Sequence, residues 1–451
     1  MTASSWIVRD KQRRIATGSM LLVLSVFLST CKDEPTRPPA QPTLQLSAED
    51  ASCTEAWLKI SSTVIPSSIA LRRNGQTVSV FNLVTSDSVV VDDSLLPGHT
   101  YVYEASRLQG TTETTTPVQL TTLDTTSHNF TWEWDTLGVT ASTLNDVAII
   151  NDTLAYAVGE MYLRDSTGQI DPVLYNAARW DGTRWTIFRI PYIYHGSPTY
   201  SPITTLFTFN ENDIWFDNSV HWDGQQFRSV DLAVSIFYGI GLNKIWGNET
   251  TGELYVVGNS GTIAYSPNHG TAWQRVESGT TLAVRDIWGA TNARTGECEI
   301  LALASTYTPE LQGSMVFRIT GNSATPISTT GMSPDMLSTW FVPGRRYYAV
   351  GAGIHQKRML SDSAWSVYPP GAVTRYYSGG IRGQDVNDIF VVGSFGEVVH
   401  FNGQSWFRYF SDVPLPTGAY GGISVRDRLM MTVGLVGTST GTRGAVLIGR
   451  R

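Results

Sequence analysis

Val386 to Trp406, VNDIFVVGSFGEVVHFNGQSW, is the stretch whose reading decides the fold. It divides into three short β-strands joined by tight turns. Asp388 to Gly393, DIFVVG, is a β-branched and aromatic run that stops at glycine. Ser394-Phe395-Gly396 supplies a turn. Glu397 to Phe401 alternates and ends at Asn402-Gly403, a dipeptide suited to the positive φ of a hairpin turn. Trp406 then opens a third run, Trp406 to Phe410.

Weakened copies of this unit recur from about residue 140 to the C-terminus. A run ending in Val-Gly appears at Val158-Gly159, Val257-Gly258, Val350-Gly351, Val392-Gly393 and Val433-Gly434, with degenerate copies at Ile214-Trp215-Phe216 and Leu301-Ala302-Leu303. The last two steps are 42 and 41 residues, a period that indicates propeller blades of several strands each. Downstream of most runs sits an Asx-Gly turn followed by an aromatic: Asp181-Gly182 with Trp185, Asp223-Gly224 with Phe227, Asn402-Gly403 with Trp406, and a shortened form from Asp362 to Trp365. Asx and Gly suit a turn between third and fourth strands, and the aromatic covers the core between blades. Asn-Asp or a variant precedes what reads as the inner strand, at Asn145-Asp146, Asn212-Asp213, Asn243-Lys244, Arg285-Asp286 and Asn387-Asp388. Seven blades result, and six or eight also fit the spacing. Phe130 to Asp135 is a stray copy before the first blade. It is expected to pair with Gly444 to Gly449 and so close a propeller over 128–451 by joining an N-terminal strand to the last blade.

Ser266 to Trp273 resembles the Asp-box of sialidase-type propellers, with Asn268 where aspartate is usual. The whole repeat segment resembles the bacterial tryptophan–glycine repeat family allied to BNR/Asp-box and photosystem-assembly (YCF48-like) propellers. The resemblance implies the fold and leaves function open.

Residues 43–125 read as a β-sandwich. Ala56 to Ile60 alternates, Asn74-Gly75 follows Ile69 to Arg73 as a hairpin signal, and Val118 to Thr122 is a final strand. Leu96 to Ala105, LPGHTYVYEA, resembles the corner of a fibronectin type III domain. By that resemblance Tyr101 or Tyr103 is the corner tyrosine and Trp57 belongs to the core. The fold class is all-β: a fibronectin III-like sandwich, then a propeller.

The N-terminus reads as an export signal. Arg9, Lys11, Arg13 and Arg14 precede the apolar run Met20 to Leu28, which is too short to span a bilayer. Leu28-Ser29-Thr30-Cys31 resembles a bacterial lipobox, which implies cleavage after residue 30, lipidation of Cys31 and a membrane anchor. Thr30 departs from the usual Gly or Ala. Lys32-Asp33-Glu34 resembles the acidic surface-export signal of Bacteroidota lipoproteins, which implies the outer face of the outer membrane. Residues 32–42 are a Pro-rich spacer.

The net charge of −7, with no basic stripe, argues against a nucleic-acid partner. Three well-separated cysteines give neither a disulfide framework nor a CxxC metal spacing. No cofactor and no metal site are expected. His221 and His400 share one repeat position with Arg179 and Tyr265, which reads as blade surface and not as a ligand set. Trp185, Trp273, Trp365 and Trp406 occupy the repeat's core position, and Trp215, Trp246 and Trp288 read as one inner-strand register, hence packing. Gly437 to Gly441 matches GxSxG but is followed by a strand, and a nucleophile elbow needs a helix there. The candidate binding residues are the aromatics outside the repeat: Tyr192, Tyr194, Tyr200, Tyr307, Tyr376, Tyr377 and Tyr420. The expected function is non-enzymatic binding of glycan or protein. A sialidase-like or polysaccharide-acting hydrolase or lyase is the enzymatic alternative, with Arg285, Arg345, Arg346, Arg375, Arg382 and Asp286 as the available charges. A structural envelope component is the third reading.

Overall fold

The computed structural model describes residues 44–110, 112–217, 219–293, 295–307, 312–409 and 417–451. The export signal, Cys31 and the Pro-rich spacer lie outside them. No helix occurs among the described residues.

Two sheets come first. One has strand order Leu44–Ala51, Ala56–Ser62, Asp87–Asp92; the other has Gln76–Leu83, Ser67–Arg73, Thr100–Arg107, Val118–Thr121. Alternation puts Ala56, Leu58 and Ile60 into a shared core with Ile69, Leu71 and Tyr103. Both candidate tyrosines bond to upstream residues. The Tyr101 hydroxyl accepts from Leu96 N at 2.8 Å, and the buried Tyr103 donates to Asp92 Oδ2 at 2.8 Å. Trp57 departs from expectation. It is fully buried, yet it points away from the sandwich core and lies under Arg345 of the propeller, whose guanidinium is 5.0 Å from the ring. Period 2 sends Trp57 to the face opposite Ala56 and Leu58, where a second domain covers it.

Seven four-stranded antiparallel sheets follow among the described residues, numbered I to VII in chain order. Their innermost strands are Thr143–Asn151, Leu206–Asn210, Leu242–Gly247, Val284–Thr291, Met336–Val342, Ser378–Asp385 and Gly418–Arg426. Each innermost strand touches the next, and the seventh touches the first. The chain is a β-propeller of open sheets packed face to face.

Six of the seven innermost strands share a defect. Register slips occur opposite Asn145, Asn243, Arg285, Leu337, Gly379 and Gly421, so each of these residues is the extra member of a β-bulge. The Val-Gly glycine on the second strand sits against five of these bulges. A Cβ on Gly159, Gly258, Gly351, Gly393 or Gly434 would stand 1.9–2.3 Å from a carbonyl oxygen of the innermost strand or of the residue that leads into it. No side chain fits there.

The structure corrects two registers. Asn145-Asp146, Asn243-Lys244 and Arg285-Asp286 lie on innermost strands, whereas Asn212-Asp213 and Asn387-Asp388 lie at the turn into second strands. Trp246 and Trp288 are on innermost strands, but Trp215 is on the second strand of sheet II. Similar dipeptides before similar apolar runs conceal this one-strand offset.

Thr131–Leu137 is the fourth strand of sheet VII and pairs with Gly441–Arg450 from Thr131↔Arg450 to Leu137↔Gly444. Just before it, His128 Nδ1 lies 2.9 Å from His400 Nδ1, and Tyr409 donates to His128 O at 2.5 Å. His400 Nε2 is 2.9 Å from Asp388 Oδ1, and Arg451 holds Asp388 Oδ2 at 2.8 Å. The two ends of the propeller segment therefore meet on sheet VI as well as in sheet VII.

The sandwich docks on the face that carries the turns between first and second and between third and fourth strands, at sheets V and VI. Glu55, 3% exposed, pairs with Arg346 at 2.6 Å and Arg358 at 2.9 Å, and Arg345 pairs with Asp50. Asn387 Nδ2 donates to Asp124 O at 2.9 Å. Cys53 is buried against the Asn402-Gly403 turn, where a Cβ on Gly403 would stand 2.2 Å from Sγ. Burial first, then the charges of Asp124 and Asp385, push the Cys53 thiol up to about 11.

Two outcomes follow from these contacts. Trp57→Ala is expected to cost about 3 kcal/mol at the domain junction, the order for a buried aromatic, while leaving the sandwich core intact. Thermal unfolding should then separate into two transitions, with early proteolysis between residues 121 and 131; a single lowered transition would place Trp57 in the sandwich core after all. The second concerns pH. Burial, then the charge of His400, pushes His128 down to about 4, and burial lowers His400 against its Asp388 hydrogen bond. The unfolded chain takes up protons on both imidazoles near pH 6.5, whereas folded His128 resists until about 4. The stabilisation is complete above pH 6.5 and lost as pH falls towards 4. Amide exchange in 131–137, corrected for intrinsic rate, should accelerate across that interval and do so less in His128→Phe.

Candidate functional site

The bulges aim two consecutive residues of an innermost strand into the central channel, and this builds the site. Asp146 of sheet I accepts from Thr205 Oγ1 at 2.8 Å and Leu206 N at 3.3 Å in sheet II, and from Lys244 Nζ at 2.6 Å in sheet III. Asp286 of sheet IV repeats the pattern. It accepts from Ser338 Oγ at 2.6 Å and Thr339 N at 3.0 Å in sheet V, and from both terminal nitrogens of Arg382 in sheet VI at 3.0 Å. Each aspartate thus ties three successive sheets. Burial opposes ionisation of Asp286, but the Arg382 charge and hydrogen bonds, the Lys244 charge and Ser338 outweigh it and hold the carboxyl below its ordinary range.

These two pairs form a waist. On one side a small polar cavity of about 120 Å³ is lined by Asn145, Asn243, Arg285 and other residues of six of the sheets, with Thr204 from the segment leading into sheet II. On the other, towards the face on which the sandwich docks, lies a cavity of about 260 Å³. Its wall is apolar and aromatic: Ile149, Phe207, Trp246, Trp288, Ile423 and Val425, with Glu249 and Arg426 at the turn ends. Trp246 rests where a Cβ on Gly289 would come within 2.3 Å of its ring, so glycine in the next sheet admits the indole. Trp288 is stacked under Arg382 at 4.8 Å, and its buried Nε1 has no hydrogen-bond partner. The waist is electrically self-compensated, and the wall offers apolar contact. Such a cavity suits an uncharged, apolar group.

Tyr192, Tyr200, Tyr376, Tyr377 and Tyr420 do not assemble into this site, and none of these five lines either channel cavity. Tyr192 and Tyr194 sit on a two-stranded hairpin, Tyr192–Tyr194 with Ser197–Thr199, between sheets I and II. Tyr192 packs towards the core between those sheets, and Tyr200 lies by Arg189, 5.8 Å from its ring. Tyr307 ends the second strand of sheet IV. The Tyr376 ring is 4.6 Å from Phe395, and Tyr377 donates to Asp335 O at 3.4 Å. Tyr420 is a correction: it is 1% exposed, in the core between sheets VI and VII, because its innermost strand turns it outward into packing. The histidines are corrected too. His400 is fully buried and His221 largely so, each against an aspartate of its own sheet. Of the arginines, Arg345 and Arg346 bind the sandwich, while Arg285 and Arg382 line the channel. The sequence did carry a signal for the waist, in the Asn-Asp, Asn-Lys and Arg-Asp dipeptides before the apolar runs. The cavity tryptophans carried none, since Trp246 and Trp288 read as packing.

Fold and channel define a β-propeller protein. No protein-family model matches the chain, and comparison with curated proteins finds no match. Solved structures do resemble it. "YCF48 bound to D1 peptide" aligns with TM-score 0.51 at 17% identity, over 72% of this chain and 99% of the other. YCF48 from Cyanidioschyzon merolae aligns with 0.44 at 14%, over 70% and 98%. The WD40 β-propeller domain of Doa1 aligns with 0.44 at 11%, over 71% and 97%. At these identities the likeness is one of fold.

The waist makes a quantitative prediction. Arg382→Ala leaves Asp286, 3% exposed, without its main counter-charge. It should cost about 3–5 kcal/mol in chemical denaturation, and Asp286→Leu/Arg382→Met together should recover most of it. A cost below about 1 kcal/mol for Arg382→Ala would show that the pair does not tie sheets IV to VI.

Proposed function

We propose that this protein is a non-enzymatic binding protein that captures a segment of another protein by seating an apolar side chain in the aromatic cavity of the channel. The observation that carries the reading is the pair Trp246 and Trp288 around a cavity of about 260 Å³ whose charged floor is already neutralised. An extended segment brings an apolar side chain that such a wall can bury. A similar fold has been seen with a peptide bound, which supports a protein ligand in general terms. The finer architecture belongs to the same proposal: a lipid anchor at Cys31 on the cell surface, a Pro-rich spacer, a fibronectin III-like sandwich over 43–125, and a seven-bladed propeller over 128–451 closed by its N-terminal strand. The sandwich, docked on the face to which the cavity points, holds the ring in a set orientation relative to the tether.

A peptide array and a glycan array probed with the full-length protein test the reading. Peptides with a large apolar residue should bind, with affinity lowered roughly tenfold or more by Trp246→Ala and less by Trp288→Phe, which keeps an aromatic ring in the wall. Binding indifferent to both changes, binding of glycans alone, or turnover of a polysaccharide would overturn it. Cys31→Ala should release the protein from membranes.

A further inference from the structure

Asp213, His221 and His269 form a separate cluster between sheets II and III. Among the described residues it is the one group of three such side chains whose ligating atoms all lie within 4.8 Å of one another. Asp213 opens the second strand of sheet II, His221 lies on its third strand, and His269 lies in the connection after the third strand of sheet III. His221 Nε2 is 2.7 Å from Asp213 Oδ1, and His269 Nε2 is 2.9 Å from Asp213 Oδ2. Trp215 Nε1 also donates to Oδ1 at 3.0 Å, and its ring stacks on His221 at 4.4 Å.

The fold contains its own control. Sheet VI repeats the arrangement: Asp388 and His400 occupy the same strand positions, and Phe390 stacks on His400 at 4.4 Å as Trp215 does on His221. There the second carboxylate oxygen is taken by Arg451, whose guanidinium cannot ligate a metal, and His400 is wholly buried. At sheet II the same place is filled by an imidazole whose side chain is 40% exposed. One scaffold thus yields a closed ion pair in sheet VI and, in sheet II, two imidazole nitrogens and a carboxylate around a point open to water.

We propose that Asp213, His221 and His269 bind one Zn²⁺, with water in the fourth position. Two nitrogens and one carboxylate suit zinc, and a single carboxylate is too few for Ca²⁺ or Mg²⁺. Ligands of a tetrahedral zinc lie roughly 3.3 Å apart for bonds near 2.0 Å. The imidazoles therefore move outward by a few tenths of an ångström from their present hydrogen bonds to the carboxylate. Binding needs both Nε2 nitrogens free of protons: a neutral ring carries its proton on Nδ1 instead, and an imidazolium releases one proton. The ion ties sheet II to sheet III, outside the channel and independent of any ligand held there.

The test uses full-length protein without a polyhistidine tag, stripped with chelator and titrated calorimetrically with ZnCl₂. One equivalent is expected to bind, with a rise in thermal midpoint and with ligand-field absorption when Co²⁺ replaces Zn²⁺. His269→Asn keeps a residue that tolerates the positive φ of 55° at this turn. It and Asp213→Asn should weaken binding roughly tenfold or more, as loss of a metal-site group does. His99→Ala, in the sandwich, should bind as the parent does. No heat and no thermal shift, equal affinity in His269→Asn, or an equal response to Mg²⁺ or Ca²⁺ would overturn the assignment.

Discussion

The carbonyl of a bulged innermost strand needs an empty space beside it, and the glycine that ends each Val-Gly run supplies that space. At Gly159, Gly258, Gly351, Gly393 and Gly434 any Cβ would overlap the neighbouring strand. The bulge in turn re-aims side chains. Without it, period 2 would send only alternate residues inward; with it, Asn145 and Asp146, or Arg285 and Asp286, both face the channel. A backbone constraint one strand away thus decides what the centre of the molecule can be made of.

What it is made of is two equivalent clamps. Asp146 gathers sheets I to III and Asp286 gathers sheets IV to VI, each through a hydroxyl and an N–H of the next sheet and a cation of the one after. Between adjacent innermost strands, aromatic rings rest on glycine: Phe207 on Gly247, Trp246 on Gly289, Trp340 on Gly383. Charges used as struts are not available to a ligand, so the channel presents its rings. That is why the apolar side of the waist is the part suited to recognition.

The edges of the molecule are managed on the face that carries the turns. The strand Thr131–Leu137 covers the third strand of sheet VII, and His128 and Arg451 converge on Asp388 and His400. The sandwich is held to sheets V and VI by Glu55, Asp50 and Trp57. Its docking therefore lies beside the clasp, and the turn face carries in one place the domain junction, the chain ends and the direction in which the aromatic cavity lies.

The amino-acid order by itself determined the architecture. Repeating Val-Gly runs, Asx-Gly turns and the stray strand at Phe130 to Asp135 are local features, and local sterics and hydrogen bonding suffice to read them. Tertiary structure alone decided which faces are used. Trp57 alternates in its strand like a residue on a solvent face, yet it is fully buried, with the propeller's Arg345 over its ring. Trp246 and Tyr420 are both aromatics in or beside innermost strands, yet one lines a cavity and the other fills a core, because the bulge rotates the strand between them. His269 meets Asp213 from 56 residues away across two sheets (269 against 213). Contacts of that span depend on how sheets stack, which strand periodicity does not encode.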